Sequence, residues 1–106
     1  MIRINNAKGF HLTFDNGLTI SVQIGHGNYC DNYNLISDFY NLRVSQCDIQ
    51  SKNAEVAIWD ETGKWLTSNF IGDDDVIGYL DVNQIVDLIN KVKNYSKEES
   101  DLNVRK

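Results

Sequence analysis

The sequence predicts an α+β fold, a single domain in which an antiparallel β-sheet built from hairpins carries a C-terminal amphipathic helix. Two segments place apolar residues at every second position on both sides of a glycine-containing turn, which is typical of hairpins. A later segment has helical apolar spacing and a capping signal at its start. The predicted order is strand, hairpin, irregular or helical segment, hairpin, strand and helix, with no sign of the crossovers that parallel sheets need.

The first hairpin is predicted in GFHLTFDNGLTISVQIG. A two-residue Asn16-Gly17 loop would pair apolar with polar residues on each face. A three-residue loop from Asp15 to Gly17, with Gly17 at positive φ, gives one wholly apolar face instead. The apolar pairs are then Phe14 with Leu18, Leu12 with Ile20 and Phe10 with Val22.

The second hairpin is predicted in AEVAIWDETGKWLTSNF, where a three-residue loop from Glu61 to Gly63 repeats the same turn pattern. This loop makes cross-strand neighbours of Asp60 and Lys64, Trp59 and Trp65, and Ile58 and Leu66. Apolar residues occupy both faces of the first strand of this hairpin. We therefore expect that strand to be central in the sheet or covered on both sides.

The last two elements are a strand over Val76–Leu80, after the acidic loop GDDD, and a helix in DVNQIVDLINKVKNY. Asp81 is a good N-cap, and Gln84 stands at the third helical position for a capping box. Lys91 and Lys93 lie near the C-terminal end, where the helix dipole favours cations. The apolar stripe consists of Val82, Ile85, Leu88, Ile89 and Val92.

The chain of 106 residues is long enough for one domain, which we assign to residues 1–95. Residues 96–106 form a charged tail that is expected to fray. The least regular segment, 33–52, allows a short helix between Leu35 and Leu42 and an edge strand from Val44 to Ile49.

Composition excludes some partners. The net charge of −5 leaves no basic surface for duplex DNA or RNA. The sequence has neither a leader-like N-terminus nor a run of about 18 apolar residues, so we expect no membrane contact and a cytoplasmic protein. Cys30 and Cys47 are accordingly expected to be reduced thiols.

The loop IGHGNYCDN, from Ile24 to Asn32, is the main candidate for a functional site. It follows a predicted strand and offers two glycines, the amides of Asn28 and Asn32, and the aromatic face of Tyr29. Backbone N–H groups, amides and a ring are the elements of a small-molecule contact loop. A plain ordered turn is the competing interpretation.

Catalysis and metal binding are weaker hypotheses for the same loop. A nucleophilic Cys30 would need His26 or His11 as its base, and spacing along the chain favours neither. A zinc site from His26, Cys30, Asp31 and Cys47 lacks the close ligand pairs of structural zinc sites. GDDD lacks the alternating ligands of a calcium loop. We expect no metal, no cofactor and no enzyme activity.

Three blocks of the chain resemble a family of small phage-encoded proteins. The blocks are KGFHLTFDNGLTISVQIGHGNYCDN, AEVAIWDETGKW and DDVIGYLDVNQIVDLINKV, which lie within residues 8–93. The family includes the first described Thoeris anti-defence protein, a signal sponge. The resemblance implies a non-enzymatic protein that sequesters glycocyclic ADP-ribose made by bacterial TIR-domain proteins, in the cytoplasm of the bacterial host. It also implies an antiparallel sheet with helical cover, and a homo-oligomer based on dimers with binding sites shared between protomers. Some relatives also take up cyclic oligonucleotides in separate sites.

The family pocket is understood to stack aromatic rings on adenine and to contact ribose and phosphate through arginines or amides. Of the three arginines here, Arg3, Arg43 and Arg105, the best phosphate-contact candidate is Arg43, with Lys64 and Lys52 behind it. The segment 33–52 is short for the family, so we do not expect every pocket contact of the family to be present here. The expected ligand-binding residues are His26, Gly27, Asn28, Tyr29, Asn32, Arg43 and Trp59.

Two other functions remain open. The chain could be an oligomeric interaction or assembly module of a phage or prophage, with Trp59, Trp65 and Tyr79 as its interface. It could also be a small hydrolase that uses His26 and Cys30.

Overall fold

The structure, a computed structural model, describes residues 1–5, 8–25, 28–31 and 50–96. Within them, five strands form one antiparallel sheet in sequential order, which confirms the predicted α+β class. The strands are β1 (Ile2–Asn5), β2 (Gly9–Thr13), β3 (Thr19–Gln23), β4 (Asn53–Trp59) and β5 (Val76–Asp81). The helices are α1 (Thr67–Phe70) and α2 (Val82–Lys93).

The first hairpin has the predicted register. Leu12 lies opposite Ile20 and Phe10 opposite Val22. The Phe14 N–H donates to the Leu18 carbonyl at 2.9 Å, which closes the three-residue loop. Gly17 lies at φ 87°, a left-handed conformation that glycine adopts without strain. The register is therefore set by the apolar pattern together with the turn.

The core lies between one face of the sheet and helix α2. Ile20 on β3, Ile58 on β4 and Val92 on α2 are completely buried. Each such side chain contributes about 1.5–3 kcal/mol by leaving water. The buried cluster consists of Leu18, Ile20, Val22, Ala54, Val56, Ile58, Leu66, Leu80, Leu88 and Val92. Because side chains alternate along a strand, residues 53, 55, 57 and 59 of β4 lie on the opposite face.

The second hairpin also has the predicted register, but its returning arm is short. Trp59 pairs with Trp65, and the Leu66 N–H donates to the Ile58 carbonyl at 2.8 Å. Helix α1 then begins at Thr67, whose hydroxyl accepts the Ile58 N–H at 2.8 Å in place of a backbone carbonyl. Strand β4 lies between β3 and β5, as its two apolar faces predicted.

Helix α2 begins with the predicted capping box: the Asp81 side chain accepts the Gln84 N–H, and the Gln84 side chain accepts the Asp81 N–H. The helix ends in a contact that the sequence pattern did not reveal. The Asn16 side-chain nitrogen donates to the carbonyls of Val92 at 2.8 Å and Tyr95 at 3.1 Å. These contacts tie the end of the helix to the first hairpin turn.

Some predictions lie outside the described residues. They are the short helix between residues 35 and 42, the edge strand over 44–49 and the tail beyond Ser96. In the part of the chain that the structure describes, no helix is long and apolar enough to cross a membrane.

Candidate ligand-binding loop

The loop residues Asn28 to Asp31 are held by the first half of β4. One oxygen of the Glu55 carboxylate accepts the Tyr29 N–H at 2.7 Å, and the other lies 3.4 Å from the Asn28 side-chain nitrogen. The Asn53 side-chain oxygen accepts the Asp31 N–H at 2.8 Å. Since Asn53 and Glu55 share the sheet face opposite α2, the loop is anchored on that face.

Strand β5 holds the loop at a β-bulge. The pairing of β4 with β5 changes from Ala54 with Leu80 to Val56 with Ile77. Two residues, Gly78 and Tyr79, therefore oppose the single residue Glu55. The Tyr79 N–H donates to the Tyr29 carbonyl at 2.9 Å, which joins the bulge to the loop.

Tyr79 is the one described residue other than glycine with a positive φ, at 60°. For an L-residue with a large side chain this left-handed conformation costs about 1–2 kcal/mol. Asn and Gly adopt it more readily. Backbone strain of this kind persists only where the surrounding structure imposes it.

Gly78 allows the loop to approach the strand closely. A Cβ atom added at this position would lie 2.5 Å from the Tyr29 Cβ and 3.0 Å from the Tyr29 carbonyl oxygen. Real Cβ atoms do not come this close, so a larger residue at position 78 would displace Tyr29. An isolated glycine inside a strand pattern often marks a bulge or a close backbone approach. Gly78 marks both here.

Two neighbouring side chains of the loop, those of Asn28 and Tyr29, differ in their exposure to solvent. Tyr29 is 54% exposed at the surface of the loop. The Asn28 side-chain oxygen is buried, and in the described part of the chain no donor reaches it. A buried acceptor without a donor is unfavourable.

Cys30 is placed as a structural residue. Its side chain is only 1% exposed, and its sulfur accepts the Gly25 N–H at 3.4 Å. His11, one of the two histidines considered as its base, lies instead on β2 beside Arg3 and Trp59. A buried thiol in this position is shielded from substrate, which counts against the nucleophilic interpretation.

Trp59 lies away from the loop. It stands four residues after Glu55 on the same strand face, which corresponds to about 13 Å along β4. Its indole meets the His11 ring at 5.1 Å and the Trp65 ring at 5.5 Å, both edge to face. The structure thus brings Asn28 and Tyr29 together and separates Trp59 from them.

The other predicted ligand-binding residues, His26, Gly27, Asn32 and Arg43, lie outside the described residues. Of the two lysines considered, Lys52 directly precedes the loop anchor Asn53, whereas Lys64 follows the turn next to Trp65. Lys52 is therefore the described cation nearer to the loop along β4. Among the residues that the structure describes, no group of three or more His, Cys, Asp or Glu side chains is placed to hold a metal ion.

His11 links stability to pH. Partial burial, and then the nearby Arg3 guanidinium, lower the pKa of His11 below its usual 6.5. The unfolded chain therefore binds the proton more readily, and this contribution to stability is complete above pH 6.5 and is lost as the pH falls towards the lowered pKa.

We expect the free energy of unfolding to decrease between about pH 7.5 and 5.5, and to decrease less in His11→Gln, which cannot titrate. Urea unfolding of the parent protein and of His11→Gln at both pH values measures how steeply the free energy of unfolding of each protein depends on pH. Equal slopes in the two proteins would show that His11 has an ordinary pKa.

Sequence reasoning missed the anchors of the loop. Glu55 and Asn53 look like ordinary polar positions of a strand, and no local pattern links Glu55 to Tyr29, which is 26 residues earlier. Gly78 was the one available signal, because it interrupts a short apolar strand.

Together the fold and the loop define a small antiparallel α+β protein in which the described loop residues Asn28 to Asp31 are anchored on the sheet face opposite the long helix. No protein-family model, curated protein or solved structure matches the chain.

Proposed function

We propose that this protein is a phage anti-defence protein that binds and sequesters a cyclic nucleotide signal, glycocyclic ADP-ribose first of all, and so blocks Thoeris signalling in the bacterial cytoplasm. The ligand is retained and not degraded. Cyclic oligonucleotides are the second ligand class to consider. The resemblance to the signal-sponge family motivates this proposal, and the geometry of the loop supports it.

The observation that carries the proposal is the exposed Tyr29 ring on a loop whose backbone is fixed. The Tyr29 N–H is bonded to Glu55, and its carbonyl is bonded to the Tyr79 N–H. Fixing a contact residue before binding reduces the entropy that is lost on binding. A sponge depends on such preorganisation, because it acts only through tight binding and slow release.

Charge limits how the ligand is oriented. Asp31 in the loop and Glu55 beside it on β4 make these surroundings acidic, which suits the neutral base of a nucleotide better than its phosphates. In the proposed complex the base lies against Tyr29. The phosphates lie towards cationic groups, for which Lys52 and Arg43 are the candidates.

The experiment that tests this function is a retention assay. Purified protein is incubated with glycocyclic ADP-ribose, free ligand is removed by filtration, and the protein is denatured by heat. We expect intact ligand to be released only after denaturation. Release of an altered product would indicate a hydrolase, and absence of retained ligand, repeated with cyclic oligonucleotides, would reject the sponge.

Tyr29→Ala is expected to lower retention about tenfold or more, because stacking of one base on an aromatic ring is worth about 1–3 kcal/mol. The matched control is Trp65→Ala, since Trp65 is also about half exposed, at 47%, and belongs to the separate Trp59 cluster. The urea midpoint of Tyr29→Ala should stay close to that of the parent protein. If both variants retain ligand equally well, Tyr29 does not contact it.

An oligomeric interaction module is the second candidate function. Edge strand β1 exposes Ile2 by 75% and Ile4 by 74%, and Met1 beside them is 86% exposed. Exposed apolar side chains at a sheet edge favour association with another chain. This alternative predicts a self-associating protein that retains no nucleotide, whereas the sponge proposal combines a homo-oligomer with retained ligand.

A further inference from the structure

Tyr79 has a backbone conformation that does not suit its side chain. Its φ of 60° lies in the left-handed region, where glycine is free of strain and a tyrosine is not. The contact that holds the loop here is made by the backbone, because the Tyr79 N–H donates to the Tyr29 carbonyl. Glycine would make this contact equally well.

The Tyr79 side chain adds little to the fold. It is 55% exposed and lies outside the buried cluster. In the part of the chain that the structure describes, no hydrogen bond or ring contact involves the Tyr79 side chain. A large residue that is strained and makes few stabilising contacts suggests a function other than stability.

The position of Tyr79 indicates that function. The Tyr29 Cβ lies against Gly78, the residue before Tyr79, and the Tyr79 N–H donates to the Tyr29 carbonyl at 2.9 Å, so the two tyrosines are neighbours where the loop meets β5. Both residues are more than half exposed. The nearby carboxylates of Asp31 and Glu55 disfavour an anionic group at this place.

We infer that Tyr79 is a second ligand-contacting residue, which together with Tyr29 forms an aromatic surface for an uncharged planar base such as a purine. This inference rests on the proposed function and specifies which part of the ligand the loop binds. The strain at Tyr79 is retained because the ring is needed at this position of the bulge.

The test measures stability and retention in the same variants. For Tyr79→Gly we expect an unchanged or higher urea midpoint, because the strain is relieved, together with about a tenfold or greater loss of retained glycocyclic ADP-ribose. Tyr79→Phe keeps the ring and the strain and is expected to retain the ligand like the parent protein. A purely structural role predicts the reverse for Tyr79→Gly, namely a lower midpoint and full retention, and would overturn the inference.

A second measurement separates this inference from the sponge proposal. Adenosine is titrated into the parent protein, and the tyrosine ring proton signals are followed by NMR, with Tyr79→Phe used to assign those of Tyr79. We expect adenosine to shift the signals of Tyr29 and Tyr79. If the parent protein retains no cyclic nucleotide but adenosine shifts these signals, the sponge proposal is rejected, and the inference that the two tyrosines bind a base is supported. The parent protein could also retain glycocyclic ADP-ribose while Tyr79→Gly retains as much and adenosine shifts no tyrosine signal. That result would support the sponge proposal and reject the role of Tyr79. If neither retention nor shifts are seen, both fail.

Discussion

Alanine at position 55 is expected to lower ligand retention strongly while the fold remains intact. The Glu55 carboxylate accepts the Tyr29 N–H at 2.7 Å and lies 3.4 Å from the Asn28 side-chain nitrogen, so its removal leaves the loop held only through the Tyr29 carbonyl and the Asp31 N–H among these contacts. Hydrogen bonds to a charged group contribute about 1.5–3 kcal/mol, so we expect a loss of stability of about 2 kcal/mol. Retention should fall about tenfold or more, because the loop must then be ordered on binding. The filtration assay and urea unfolding measure these two effects.

Asp87→Ala is the matched control for this substitution. Asp87 is an exposed carboxylate on α2, the helix that covers the other face of the sheet. Removing it changes the net charge by the same amount as removing Glu55, so it separates a general charge effect from release of the loop. If Glu55→Ala lost stability but retained ligand as well as Asp87→Ala does, the anchored loop would not be the binding site.

Alanine at position 16 is expected to destabilise the protein by about 2 kcal/mol without a direct effect on the candidate ligand-binding loop. The Asn16 amide donates to the carbonyls of Val92, Lys93 and Tyr95, and its oxygen accepts the Leu18 N–H at 3.0 Å. The last carbonyls of a helix have no partner within the regular helical pattern, so Asn16 adds a donor to carbonyls at and just beyond the end of α2, of which that of Val92 also accepts the Tyr95 N–H at 3.3 Å. The loss of several bonds worth about 0.5–1.5 kcal/mol each gives the expected magnitude. Urea unfolding measures this loss.

Asn90→Ala provides the control for the Asn16 substitution. Asn90 is an exposed asparagine inside α2, where alanine is the better helix former. We expect an unchanged or slightly higher stability for this variant. Equal stabilities of Asn16→Ala and Asn90→Ala would mean that the contact between the first turn and the end of α2 does not contribute to the fold.

The elements of the fold were predictable where a local pattern is enough. Period-two apolar residues and the glycine turns gave the registers of both hairpins, since a shift of one residue would move the apolar side chains to the wrong face. Asp81 and Gln84 gave the start of α2, because a capping box involves only residues close in sequence. The returning arm of the second hairpin was predictable only to Leu66. Beyond it, the Thr67 hydroxyl replaces a backbone carbonyl in a contact that no pattern encodes.

The candidate site was predictable only in part. The composition of the loop pointed to Asn28 and Tyr29, and the structure shows how these two residues are held. Aromatic character predicts Trp59 for the same site, but its position on β4 places it with His11 and Trp65. The separation of Glu55 and Trp59 along β4 follows from their sequence numbers. The contact between the loop and Glu55 does not, because the two are distant in the chain.

The sequence by itself determined the α+β class, the hairpin registers and the helix cap, because these depend on side-chain alternation, glycine turns and contacts between near neighbours in the chain. Only the tertiary structure decided that Glu55 and Asn53 anchor the loop, that Asn16 closes the end of α2, and that a bulge strains Tyr79 beside Tyr29. The anchoring contacts join residues separated by 22 to 79 positions, and the strain follows from how β4 and β5 pair. Such features exist only after the strands have paired and the helix has packed on the sheet, so no local pattern of residues specifies them.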